Sequence, residues 1–153
     1  MTELDLGQKV AARRLLWKMG YSTRVDVVLR APARNIDGRK PRSHPESYTD
    51  IDVLGVAVTP SGHIQTSVVD CKTGTASVIS RMFWVRGLQE FFGADNAYMV
   101  RAKDVSQDAR QLAVRLGISA LTETEVTQLE TALQTRVPMD ALPLSTLFDK
   151  NST

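Results

Sequence analysis

Asp52, Asp70 and Lys72 are the residues of this chain whose types and spacing could do chemistry. Asp70-Cys71-Lys72 closes a Val-rich segment, and on a β-strand residues i and i+2 point to the same side. Asp70 and Lys72 then share one face, and Cys71 takes the other. Asp52 stands eighteen residues earlier, across an expected hairpin, with Asp50 two residues before it. A carboxylate pair beside a lysine suits metal-assisted hydrolysis of a phosphodiester. Desolvating each ion costs on the order of several kcal/mol, and the two like charges repel. Lys72 cancels only one charge, so the trio stays net negative, more so if Asp50 joins it. A divalent cation brings the site close to neutral. Hard oxygen donors favour Mg2+, with Mn2+ able to substitute. The main-chain carbonyl of Cys71 lies between the two side chains and is a further candidate ligand. Lys72 would orient the attacking water or stabilise charge building on the phosphoryl group.

The elements that must position these groups follow from periodicity and turn signals. Residues 4–19 read as an amphipathic helix ended by Gly20. Its inward stripe is expected to be Leu6, Val10, Ala11, Leu15, Leu16 and Met19, with Lys9, Arg13, Arg14 and Lys18 elsewhere. Residues 24–30 read as a strand. Residues 31–49 hold Pro32, Pro41, Pro45 and Gly38 and read as a long loop. That loop carries Arg34, Arg39, Lys40 and Arg42, candidates for tracking a phosphate backbone. Residues 50–59 and 64–72 read as two strands joined at Thr59-Pro60-Ser61-Gly62. A helix over 77–92 has apolar residues around more than half its circumference, which predicts deep burial. A strand over 96–102, a helix over 106–116 and a short strand over 118–121 follow. Thr122-Glu123-Thr124-Glu125 is a capping-box pattern that opens a last helix.

The resulting order, α-β-β-β-α-β-α-β-α, implies an α/β fold with a mixed central sheet and helices on both faces. It makes residues 1–136 one domain, followed by an irregular tail over 137–153 that holds Pro138 and Pro143.

Composition excludes several classes. One cysteine permits no intrachain disulfide, and with only His44 and His63 a four-ligand zinc site is not available. No apolar run is long enough to span a membrane, and no signal peptide is evident, so a cytoplasmic protein is expected. There is no serine-hydrolase elbow and no phosphate-binding P-loop. Residues 1–49 carry ten Lys/Arg against five Asp/Glu, while the remainder carries nine against twelve. A basic N-terminal part of this kind is compatible with a polyanionic partner. Trp17 and Trp84 fall in helical segments and are expected in the core. Cys71 is expected to be a small buried hydrophobe rather than a nucleophile.

Asp50-Ile51-Asp52-Val53-Leu54-Gly55, followed by Val68-Val69-Asp70-Cys71-Lys72-Thr73-Gly74, resembles the PD-(D/E)xK nuclease superfamily. The form is similar to its Mrr-like, resolvase-like and RecB-like branches, and the resemblance covers roughly residues 4–134. Ser106-Gln107-Asp108-Ala109, leading on to Leu116-Gly117-Ile118, also looks like the Mrr-like pattern. The resemblance implies a restriction-endonuclease-like core and a Mg2+-dependent endonuclease acting on DNA, with RNA left open. It implies Asp52 and Asp70 as metal ligands and Lys72 as the catalytic cation. Double-strand cutting would then call for a homodimer, a larger nucleoprotein assembly or two successive nicks. The chain departs from the family on the first helix. Gly7-Gln8-Lys9-Val10 stands where many members carry a glutamate, which makes Gln8 the nearest oxygen donor. On the helix after the motif, Arg81 offers the one charge and a candidate phosphate contact. The alternative reading is a nucleic-acid-binding or assembly module that keeps the fold with weak or no catalysis.

Overall fold

Among the residues that the computed structural model describes, 3–31, 46–74 and 77–133, the elements run in the expected order. They are α1 (Glu3–Lys18), β1 (Ser22–Arg30), β2 (Ser47–Val58), β3 (Ile64–Lys72), α2 (Val78–Phe92), β4 (Asn96–Arg101), α3 (Gln107–Leu116), β5 (Ser119–Thr122) and α4 (Glu123–Leu133). The strands form one mixed sheet in the order β1-β2-β3-β4-β5. β1, β2 and β3 are antiparallel neighbours, and β3, β4 and β5 run parallel. The loop cations Arg34, Arg39, Lys40 and Arg42, and the tail 137–153, lie outside the described residues.

Local signals set the boundaries. Gly62 takes a φ of 84° at the β2–β3 turn, where Thr59 N–H donates to His63 O at 2.8 Å. Thr122 and Glu125 close the capping box reciprocally: Thr122 N–H donates to Glu125 Oε2 (2.8 Å) and Glu125 N–H to Thr122 Oγ1 (3.2 Å). These bonds and the Arg110 ion pair hold the Glu125 carboxyl below its ordinary value, the backbone bond contributing most.

Helices cover both faces. On one face α1 and α4 pack Ala12, Leu15, Leu16 and Val126 against Val53, Val69, Cys71 and Val100 of the sheet. On the other, α2 and α3 pack Met82, Val85, Leu88, Ala109 and Ala113 against Ile51, Val68, Ala97 and Met99. Gly55 permits the close approach of α1 to β2, because a Cβ there would lie 3.0 Å from Leu16 Cδ1.

Three expectations about helix faces need correction. Leu6 and Val10 of α1, and Met19 just after it, are exposed, and the buried face is Gln8, Lys9, Ala12, Leu15 and Leu16. The stripe is rotated because Lys9 finds carboxylate partners inside. α2 is not buried around most of its circumference: Ile79, Phe83 and Phe91 are exposed, and Gln89 is buried. Trp17 is 54% exposed rather than in the core.

Gly87 sits inside α2 with an ordinary helical φ, and nothing lies within 4 Å of a Cβ built on it. Neither backbone nor packing requires a glycine there. Gly87→Ala is therefore expected to stabilise the protein by about 1 kcal/mol, read as a higher urea midpoint at unchanged m.

Candidate active site

β2 and β3 part company at the carboxylates. Their ladder ends at Val53↔Val69, one residue short of Asp52 and Asp70. Strict alternation would put Ile51 and Val53 on one face. Instead Ile51 packs beneath α2 and α3, and Val53 packs beneath α1 and α4. The pleat changes phase at Asp52, and its carboxylate turns into the gap. There Asp52 Oδ2 accepts the Cys71 N–H at 2.8 Å, replacing a ladder acceptor with a side chain. Asp52 is thus brought to the peptide that joins Asp70 to Cys71.

β3 keeps its alternation. Asp70 is paired with Met99 on the α2 side, while Cys71 packs in the α1–α4 cluster. Burial pushes the Cys71 thiol well up, and the charges of Asp52 and Asp70 push it further, so it stays a neutral thiol. Lys72 is half-buried at the end of β3, and its charge is felt at Asp70. Asp50 is exposed, paired by register with Val28.

The two aspartates have cationic partners that the charge argument from the sequence omitted. Asp70 is 2% exposed. Arg81, in the first turn of α2, grips it with both prongs: Nε donates to Oδ2 at 2.8 Å and the terminal amino group to Oδ1. Burial raises the Asp70 carboxyl above its ordinary value, and the two arginine bonds pull against that rise. Arg81, expected on a phosphate, is therefore committed to Asp70 instead, and its guanidinium also stacks 3.9 Å from the Trp84 ring centre.

Lys9 reaches from α1 to Asp26 Oδ1 (2.6 Å) and to Asp52 Oδ1 (3.0 Å). Burial alone would lower the Lys9 ammonium, but its bonds to Asp26 and Asp52 outweigh that and hold it above the usual lysine value. Asp26 takes a φ of 52°, and the β1–β2 register sets it across from Asp52. Asp is one of the few residue types that tolerates such a backbone. Asp26, Asp52 and Asp70 are thus matched by Lys9, Lys72 and Arg81, and the cluster is formally neutral rather than net negative.

Gln8, the expected oxygen donor on the first helix, is buried and gives its amide N–H to Glu123 Oε1 at 2.5 Å, at the start of α4. Lys9, not Gln8, meets Asp52. Sequence reasoning missed Lys9 and Asp26. Their signals were a lysine in helical register with Ala12 and Leu16, and a lone carboxylate inside Val25-Asp26-Val27-Val28.

Among the described residues no group of three or more His, Cys, Asp or Glu side chains converges to hold a metal. Two carboxylates and a main-chain carbonyl remain a suitable hard-donor set in kind. Arg81 already engages both oxygens of the buried Asp70, so a metal held by that carboxylate would share it with the guanidinium.

The fold is a mixed five-stranded α/β sheet with helices on both faces. AF1548, a protein of unknown function, shares it with a TM-score of 0.56 at 17% identity, over 88% of this chain and 69% of that one. Protein VC1899 from Vibrio cholerae shares it with a TM-score of 0.57 at 15% identity, over 86% of this chain and 32% of that one. The chain therefore spans about a third of the length of VC1899. A repair endonuclease from Pyrococcus abyssi is also similar, with a TM-score of 0.41 at 16% identity, over 78% of this chain and 46% of that one. No protein-family model matches the chain, and no curated protein matches it. No described helix is long and apolar enough to cross a membrane.

Proposed function

We propose that this protein is a metal-dependent nuclease of the PD-(D/E)xK type, hydrolysing phosphodiester bonds of DNA. One observation carries the reading: the sheet splits so that the Asp52 carboxylate sits on the amide beside Asp70, with Lys72 on the Asp70 face. Asp52, Asp70 and the Cys71 carbonyl are the groups that would hold Mg2+ or Mn2+. The metal, when bound, supplies polarisation of a phosphoryl oxygen and a water of lowered pKa. The chain's own residues do the rest. Lys9 fixes the rotamer of Asp52 from behind, so that one carboxylate oxygen is aimed before substrate arrives. The Cys71 N–H locks its other oxygen. Lys72 brings a mobile positive charge to the Asp70 face, where it orients water or meets charge developing on the phosphate. Arg81 would share the Asp70 carboxylate with the metal, each oxygen keeping a lone pair beyond the one the guanidinium uses.

The test is nicking of a supercoiled plasmid with Mg2+ or Mn2+, and its loss on chelation. Lys72→Ala is expected to slow nicking about 10²-fold, and Asp70→Asn to remove it. Equal rates in wild type and both variants would discard the assignment.

The second reading, a nucleic-acid-binding module with weak or no catalysis, is favoured by Arg81 and Lys9 standing on the carboxylates. Calorimetric titration with Mn2+ separates the two readings. Retained DNA binding without any Mn2+ binding supports the module.

A further inference from the structure

One turn along α2 from Arg81, the helix and the start of β2 line an open groove of about 340 Å³. Such a volume lies in the range of roughly 300–1,000 Å³ that holds small organic groups. Trp84, Gly87, Leu88 and Phe91 follow one another at i, i+3, i+4 and i+7 and form the helix side, facing Tyr48 and Thr49. Tyr48 and Phe91 meet edge to face, with centroids 5.7 Å apart, and close one end. Both are more than half exposed, an arrangement that leaves aromatic surface in water without a core to fill. Gly87 is the floor. A glycine inside a helix is unfavourable, and here neither its φ nor any neighbour asks for one. What its missing side chain preserves is the open space of the cavity.

Arg81 covers the Trp84 ring at 3.9 Å and holds Asp70 with the same guanidinium. The aromatic wall and the candidate cleaving carboxylate are therefore separated by a single side chain. An open aromatic groove one side chain away from the candidate phosphodiester site suits a base of the strand bound at that site.

We infer that this cavity seats one unpaired nucleobase of the nucleic-acid strand, stacked in the aromatic groove of Trp84 and Phe91, one side chain away from Asp70. The inference rests on the nuclease reading and narrows its substrate class. Every base has a π-face, so the slot reads no sequence. A base inside a duplex has both faces covered, so the slot admits only bases that are unpaired or drawn out of the stack. Single strands, flaps and frayed ends are thereby preferred over intact duplex.

The chain has two tryptophans, so Trp17→Phe on exposed α1 leaves Trp84 as the sole reporter. In that background, with chelator present so that nothing is cut, the protein is titrated with a short oligothymidylate and with the same strand annealed to its complement. The single strand is expected to quench Trp84 emission, and the duplex to do so weakly. Gly87→Leu, which fills the floor, and Phe91→Ala, which removes an exposed wall without touching the core, are each expected to weaken single-strand binding about tenfold, the lower part of what one stacked base supplies. Three results overturn the proposal. One is equal quenching by single strand and duplex. Another is wild-type binding in both variants. The third is Trp84 emission already shielded from acrylamide in the free protein, which would mean that the chain fills its own cavity. Because binding is read without metal, a protein that quenches but never nicks loses the nuclease reading and keeps the pocket. A protein that nicks while Trp84 stays silent does the reverse.

Discussion

Arg81→Met is expected to cost the fold about 4 kcal/mol at neutral pH, and far less in mild acid. Asp70 is nearly inaccessible, and Arg81 gives it two charge-assisted bonds, one to each oxygen. Removing the guanidinium leaves a buried carboxylate with Lys72 as a more distant cation, the situation that makes broken buried pairs expensive. The pH sign follows from the direction of the Asp70 shift. Burial already lifts the folded carboxyl above its unfolded value, and Arg81 is the main force opposing that lift. Without it the folded carboxyl climbs further. A group raised in the folded state gives its full stability below the unfolded carboxyl range and loses it as pH rises through the folded value. The deficit of Arg81→Met should therefore be large at neutral pH and shrink as Asp70 takes up a proton. Urea unfolding at neutral and mildly acid pH reads this directly, and Arg81→Met/Asp70→Asn should recover most of the neutral-pH loss. An equal deficit at both pH values would show that Arg81 stabilises by packing on Trp84 instead.

That pair also marks where the sequence stopped being legible. Asp70 and Lys72 on one face, Cys71 on the other, and a hairpin bringing Asp52 alongside were all readable from a period of two and a Pro-Ser-Gly turn. The element order was readable too, because each boundary has a local cause in a glycine, a capping box or a change of period. Two things were not local. The pleat changes phase at Asp52, so a two-residue period cannot say which face its carboxylate takes. The partner of each carboxylate comes from a helix distant in the chain, Lys9 from α1 and Arg81 from α2. A lysine on a helix reads as solvated until a buried anion is known to face it. The stripe on α1 was misplaced for that reason, with Leu6 and Val10 assigned to a core that Gln8 and Lys9 occupy. The apolar excess on α2 misled in the opposite sense. Its apolar residues predict deep burial, whereas Phe91 is exposed and borders an open groove.

Lys9→Met is the complementary case, expected to cost about 3 kcal/mol, the lower end for a broken buried ion pair. The discount comes from Asp26, whose side chain is 44% exposed and can rehydrate, against 17% for Asp52. Without the ammonium, two carboxylates oppose each other across β1 and β2, one on a left-handed backbone that nothing then holds. The cluster passes from neutral to net negative, the state in which an added cation gains most. Mg2+ or Mn2+ is therefore expected to raise the melting temperature of Lys9→Met more than that of wild type, since a ligand stabilises in proportion to its preference for the folded form. Lys9→Met/Asp26→Asn, with one carboxylate neutralised, should regain stability and lose the extra response to metal. Thermal unfolding of the three proteins across a cation series decides the matter. If the metal response is the same in all of them, Lys9 is a strut between strands and has no hold on the charge of the site. If it tracks the number of unmatched carboxylates, then the aspartates at the split of the sheet form a cation site whose resting occupants are the protein's own lysine and arginine.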